Sequence, residues 1–263
     1  MRGSWIDRVG MILLLLGAVA VAVAEDEKPK PVKKGAGDIE IGDFGVPIAD
    51  RAVAASEVAR FQTAMKAAKR KKDEDKKVEL LMKLGEKDHP VIYKEATKWL
   101  KDKNHKVATA AVIAIGRQKS SAKKAGPYLA KYMGREKRTD PRCAAIVALG
   151  VLNYKRAYKD VMKQFRKSRT EPHKAAARYF GYTKAKQAFR ILAEELDEPR
   201  PSNPNDPDNP PASYWEERWK EWKANEPAIR WALAQFVEGE SFETTAEAKQ
   251  WAESEGKKHG IDW

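Results

Sequence analysis

Apolar residues recur at helical spacing along this chain from about residue 50 onward. Val58, Phe61, Met65 and Ala68 fall at i, i+3, i+7 and i+10 behind Asp50, a capping residue, and predict a helix to about Lys72. Beyond it one pattern repeats. Lys83-Leu84-Gly85, Ala114-Ile115-Gly116, Ala148-Leu149-Gly150 and Tyr179-Phe180-Gly181 each end a helical run, and the glycines step by 31, 34 and 31 residues. Ala110-Ala111, Ala144-Ala145 and Ala175-Ala176 lie six and five positions before the last three glycines. Small residues there let one helix lie close against another, and a terminal glycine predicts the left-handed turn that closes a helix. Asp140-Pro141 and Thr170-Glu171-Pro172 place a capping residue just ahead of a proline at a first turn. A second amphipathic helix is predicted after each glycine, at roughly 90–101, 121–134, 154–167 and 184–197. The first unit departs from the pattern, with Glu79-Leu80 where the others carry paired alanines.

Four helix hairpins at a fixed period predict an all-α chain, an α-solenoid in which each unit buries its apolar face against its neighbours. The runs Val107-Ala-Thr-Ala-Ala-Val-Ile-Ala-Ile-Gly116 and Arg142-Cys-Ala-Ala-Ile-Val-Ala-Leu-Gly150 resemble HEAT repeats, in the short-period form sometimes called PBS-lyase-like. With the leading helix the resemblance covers about 50–197. The Trp, Tyr and Pro positions of tetratricopeptide repeats are not met, and the ankyrin signature Thr-Pro-Leu-His is absent.

The flanks differ in composition. Residues 1–24 read as a secretory signal peptide: Arg2 and Arg8 precede an apolar run, and Ala22-Val23-Ala24 stands just before Glu25-Asp26-Glu27. The run from Val9 to Ala24 is shorter than the roughly 20 residues a membrane span needs, and no later stretch approaches that length. The chain is therefore expected to be exported, periplasmic or extracellular, with no transmembrane segment after cleavage near Ala24. Residues 25–48 read as a flexible tether and 49–197 as the solenoid with its leading helix. The six prolines of 198–211 make that segment a linker. Residues 212–263 form a small acidic unit holding six of the eight tryptophans. Trp215, Trp219 and Trp222 share one helix face, Trp231, Leu233 and Phe236 mark a second helix, and Thr244-Thr-Ala-Glu247 reads as a capping box before a third. The layout Phe242 … Trp251 … Trp263 resembles the C-terminal segment of exported bacterial HEAT-repeat proteins.

Charge sharpens this picture. The net of +13 conceals a repeat region, 66–197, at +20 and a tail, 198–263, at −6. Lys155, Lys159, Lys163 and Lys167 step by four along one predicted helix, flanked by Arg156 and Arg166, while Tyr154, Tyr158, Val161, Met162 and Phe165 form its apolar face. In HEAT-like solenoids the second helices line the concave surface. By that resemblance Lys94, Lys98, Lys123, Lys124, Lys131, Lys184, Lys186 and Arg190 join the same groove. Two readings stand: a surface that concentrates an anionic partner, or a solvated face that keeps the protein soluble. The tryptophans likewise read as a small core or as a sugar-stacking platform. The acidic tail could also fold back over the basic groove.

Candidate chemistry is sparse. The single Cys143 lies among alanines and reads as a small apolar residue. His89, His105, His173 and His259 match no metal-ligand spacing, and no catalytic serine, zinc, phosphate-loop or dinucleotide motif is present. The expectation is a non-catalytic scaffold without cofactor, binding a protein partner through its basic concave surface. The alternative is binding of an acidic envelope glycan or polymer. Export argues against nucleic acid.

Overall fold

The computed structural model describes residues 46–168, 170–201, 203, 206–237 and 240–263. The expected signal peptide and nearly all of the tether lie outside them. Residues 46–263 form one compact unit that is all-α, with no strand among the described residues. Its helices are α1 Arg51–Lys71, α2 Glu74–Leu84, α3 Pro90–Thr97, α4 His105–Gly116, α5 Ala122–Arg135 and α6 Thr139–Val151. They continue as α7 Tyr158–Lys167, α8 Glu171–Thr183, α9 Phe189–Ala193, α10 Ala212–Phe236, α11 Thr245–Trp251 and α12 Lys257–His259. Short 3-10 turns at Lys119–Ser121, Lys155–Ala157 and Lys186–Ala188 lead into α5, α7 and α9.

Local sequence accounts for many of the boundaries. The Asp50 carboxylate accepts from the Val53 amide at the start of α1, and Asp73 does the same for Lys76 at α2. Asn104 caps α4, and the His89 ring caps α3 with Pro90 in its first turn. Thr244 caps α11 by accepting from Glu247, whose carboxylate accepts in return from the Glu243 amide, so the predicted capping box forms with its return bond one residue earlier. Asp140 does not cap α6. Its carboxylate reaches His105 Nδ1 at 2.7 Å on α4, and Arg138 occupies the cap position.

Successive helices pack in order. α2 lies against α4, α4 against α6, α6 against α8, and α8 against α10, while α5 and α7 lie chiefly against the following α6 and α8. α4 and α8 are buried on nearly every face. α7 is amphipathic, burying Val161, Met162 and Phe165.

The repeated glycines act differently from the expectation. Gly85 has φ −72°, and Gly116, Gly150 and Gly181 lie within right-handed helix, so none supplies a left-handed turn. Asn153 and Lys184, three residues beyond Gly150 and Gly181, adopt that conformation instead, with φ of 52° and 46°. The glycines matter through close approach. A β-carbon on Gly85 would stand 2.8 Å from the Ala114 Cα, on Gly116 2.8 Å from the Ala148 Cβ, and on Gly150 2.9 Å from the Tyr179 Cα. Each partner lies two residues before the next glycine. Gly181 ends the series against Trp231 and Ala232 of α10, at 2.6 and 2.9 Å.

That last contact shows where the C-terminal segment goes. Residues 212–236 form one helix that continues through Pro227, rather than two. Trp231 stacks edge-on with Tyr182, and Phe189 of α9 is surrounded by Phe236, Phe242 and Trp251. The Thr245 hydroxyl donates to the Ala193 carbonyl, and Trp222 Nε1 donates to the Glu195 carbonyl. The N-terminal edge is pinned as well: Ala49 donates to the Asp88 carbonyl and Asp88 to that of Pro47. Asp88 is itself held by the amide and hydroxyl of Ser120 at 2.8 and 2.6 Å.

Loops on another edge are tied by Arg138. Its guanidinium forks onto Glu136 and donates to the Asp102 and Lys103 carbonyls, and the Tyr132 hydroxyl donates to Glu136. Hydrogen bonding from Arg138 holds the Glu136 carboxyl down at about 2, from an ordinary 4.5.

Two predictions follow from these contacts. Gly116→Ala is expected to destabilise the protein by about 1–3 kcal/mol through overpacking against Ala148, despite alanine's higher helix propensity. Gly134→Ala in α5, where nothing lies within 4 Å of the new carbon, is expected to stabilise by up to about 1 kcal/mol. Urea unfolding of the two variants reads the opposite signs. Glu136→Gln is expected to cost about 1–3 kcal/mol at pH 7. Because the folded pKa is depressed, that difference should be complete above about pH 4.5 and vanish as pH falls towards 2, measured by unfolding across that range.

Candidate interaction surface

The cations named from sequence are all on the surface. Lys123, Lys124 and Lys131 are exposed on α5, Lys159, Lys163, Arg166 and Lys167 on α7, and Lys155, Lys184 and Arg190 at the turns and α9. The apolar side of α7 faces α8, so burial of Val161, Met162 and Phe165 drives the lysines outward. Arg166 and Lys167 fall in the last turn of α7, where positive charge complements the helix dipole. Lys159, Lys163 and Lys167 follow one another at i, i+4, a spacing at which like charges oppose helix formation.

Ion pairing divides the basic residues into two groups. Lys76, Lys77, Lys87, Lys98 and Lys174 pair with Glu79, Glu74, Glu57, Glu95 and Glu171. Lys98, expected in the groove, is thereby bound to Glu95 at 2.6 Å. Among the described residues, Lys123, Lys124, Lys131, Lys155, Lys159, Lys163, Arg166, Lys167 and Lys184 make no ion pair. Arg190 differs from them. Its Nε lies 2.7 Å from Glu194, and its guanidinium stands over the Trp263 ring at 5.8 Å.

Some of these residues are brought together and others are not. The Tyr154 ring lies where a β-carbon on Gly126 of α5 would be, which places the turn at 154–157 beside α5. The Tyr179 hydroxyl of α8 donates to the Tyr154 carbonyl at 2.9 Å, and the turn and the 183–187 segment border one cavity. Lys155 and Lys184 line one cavity there, together with Lys186. Burial pushes the Tyr158 and Tyr179 phenols upward, so both carry their protons at neutral pH. Arg166 borders a second cavity of about 240 Å³, with Phe165, His173, Ile191, Glu194 and Glu195.

His173 is a residue the sequence spacing did not single out. It is 2% exposed and stacks on Phe165 at 3.8 Å. Its Nδ1 lies 2.9 Å from both the Phe165 and Ser168 carbonyls and so donates to them. Nε2 has no hydrogen-bond partner and lies 4.0 Å from the Glu195 carboxylate. No three His, Cys, Asp or Glu side chains among the described residues converge as a metal site.

The tryptophans of the C-terminal segment are mostly turned inward. Trp219 is the exposed one, at 40%, with the Lys223 ammonium 5.2 Å above its ring. Trp231 and Trp251 pack against Tyr182 and Phe189. The acidic segment is the next layer on α8 and α9. No helix among the described residues is long and apolar enough to cross a membrane.

Cys143 is half-buried on α6, and burial pushes its thiol up to about 12. With so little thiolate at neutral pH, it should react with iodoacetamide at pH 8 at least about tenfold more slowly than in urea-unfolded protein, as read by mass spectrometry.

The chain matches no protein-family model, no curated protein and no solved structure.

Proposed function

We propose that the chain is an exported, non-catalytic HEAT-like scaffold of four helix hairpins whose lysine-rich second-helix surface binds an acidic partner protein. The observation that carries this reading is the set of nine exposed cations on and around α5 and α7 that have no ion-pair partner. Lys76, Lys77 and Lys98 of the same molecule are matched with glutamates at i, i+3. Repeated like charges along α7 oppose its own helix. An acidic partner offsets that repulsion, and the surface attracts it over the Debye length. The succession of packed helices supports the solenoid reading, in which second helices line a continuous surface. Export rests on the signal-like first 24 residues.

An acidic glycan would use the same lysines but would gain little from the tryptophans, which serve the core. A protein partner is therefore the preferred reading.

The test is capture from an envelope extract by the chain from Glu25 onward, at low and high salt. It is compared with a variant carrying Lys124→Gln, Lys159→Gln, Lys163→Gln and Lys167→Gln. A protein held at low salt by the natural chain and at least about tenfold depleted on the variant, with helical content unchanged, is expected. Identical protein recovery on both would sink the proposal, as would recovery of acidic polysaccharide alone.

A further inference from the structure

The turn that precedes α7 and the turn that precedes α9 border an open-sided cavity of about 300 Å³ lined by Lys155, Tyr158, Tyr179, Thr183, Lys184 and Lys186. Its size reaches the lower end of small-molecule sites and is the volume of about ten waters, more than a bare tetrahedral anion fills. The donors available in it are unequal. The Tyr179 hydroxyl already donates to the Tyr154 carbonyl, and the Thr183 hydroxyl donates to the Tyr179 carbonyl at 2.8 Å. Their oxygens can only accept further bonds. The three ammonium groups and the Tyr158 hydroxyl have no hydrogen-bonded partner among the described residues. What the cavity offers a ligand is therefore a largely apolar wall that includes the Tyr158 ring, with three exposed lysines around it whose ammonium groups are free to meet an anion at the mouth.

The backbone fixes where Lys184 stands. Lys184 holds a left-handed conformation, φ 46°, where a β-carbon is unfavourable and glycine or asparagine is the usual choice. Asn153, in the corresponding place after Gly150, makes that choice. Lys72 holds the same conformation at the end of α1, so the backbone fixes the place of the Lys184 side chain and the cavity gives it a use. Lys186 stands at the rim, its Nζ 3.0 Å from the place of a β-carbon on Gly260, so the turn after α12 borders the same opening.

We propose that this cavity binds a small phosphomonoester, its phosphoryl oxygens held by Lys155 and Lys184 and its carbon ring seated against Tyr158. A dianion matches two or three lysine point charges better than a carboxylate does. The space left beyond the phosphoryl group, flanked by Tyr158 and Tyr179, is filled by a compact ring. The site shares Lys155 and Lys184 with the partner surface, whereas Lys159 and Lys163 lie on the open face of α7 and belong to that surface alone.

Isothermal titration of the full chain with phenyl phosphate, inorganic phosphate and benzoate tests it. One site is expected, with phenyl phosphate tightest and benzoate at least about tenfold weaker. Lys184→Asn preserves the turn, as Asn153 does, and should weaken phenyl phosphate about tenfold or more, the loss of a hydrogen bond to a charged group. Lys155→Gln should act likewise, while a Lys159→Gln, Lys163→Gln pair should leave the titration unchanged. Benzoate binding as well as phenyl phosphate, or unaltered binding by Lys184→Asn, overturns the proposal. So does an equal loss from the Lys159 and Lys163 substitutions, which would reveal diffuse attraction. Failure here with partner capture intact removes the pocket alone. Failure of capture with the titration intact removes the scaffold reading alone.

Discussion

The packing of this protein depends on a contact between a glycine on one helix and the residue two positions ahead of the next glycine. Gly85 meets Ala114, Gly116 meets Ala148, and Gly150 meets Tyr179, each within about a carbon's width of collision had the glycine carried a β-carbon. Close approach brings α2, α4, α6 and α8 together in series, and the buried alanines between them extend the seam. Everything else takes its position from that series. The second helices dock against it, the turns line up beside one another, and polar side chains then lock neighbouring turns, as Asp88 does with Ser120 and Arg138 with Asp102.

Much of this was legible from spacing. The period of the glycines, the paired alanines and the amphipathic face of α7 all carry information a helix must obey, because burial repeats every three to four residues. The helix ends were less legible. Asp140 resembles a cap in sequence, yet its carboxylate finds His105 on a neighbouring helix, a partner 35 residues away. The role of the glycines was also inverted: close approach is a property of two helices, whereas a left-handed turn is a property of one, and sequence favours the local explanation. Likewise Trp215, Trp219 and Trp222 read as one helix and Trp231, Leu233 and Phe236 as a second, but Ala228, Ile229, Ala232 and Leu233 bury together and carry a single helix through Pro227.

The surface was legible in type but not in arrangement. That the lysines of α7 face outward follows from its apolar stripe. Which of them lack acidic partners does not, since Lys98 and Arg190 look equivalent until Glu95, Glu194 and Trp263 are placed. Lys186 and Tyr158 joined Lys155 and Lys184 only through the meeting of two turns. A usable signal did exist: Lys119, Lys155 and Lys186 each open a 3-10 turn, a recurrence visible once the turns rather than the helices are aligned.

The seating of α10 on α8 has an electrical consequence. A tail of net −6 is packed against the final member of a helix series whose parent region carries +20. α10 itself is neutral, with four acidic and four basic residues, and the acidic excess lies in 198–211 and 237–263 on either side of it, so the positive potential falls off towards the C-terminal segment. The helix series therefore has a dipole along its packing order, and an elongated anionic chain lying along it meets two unequal ends.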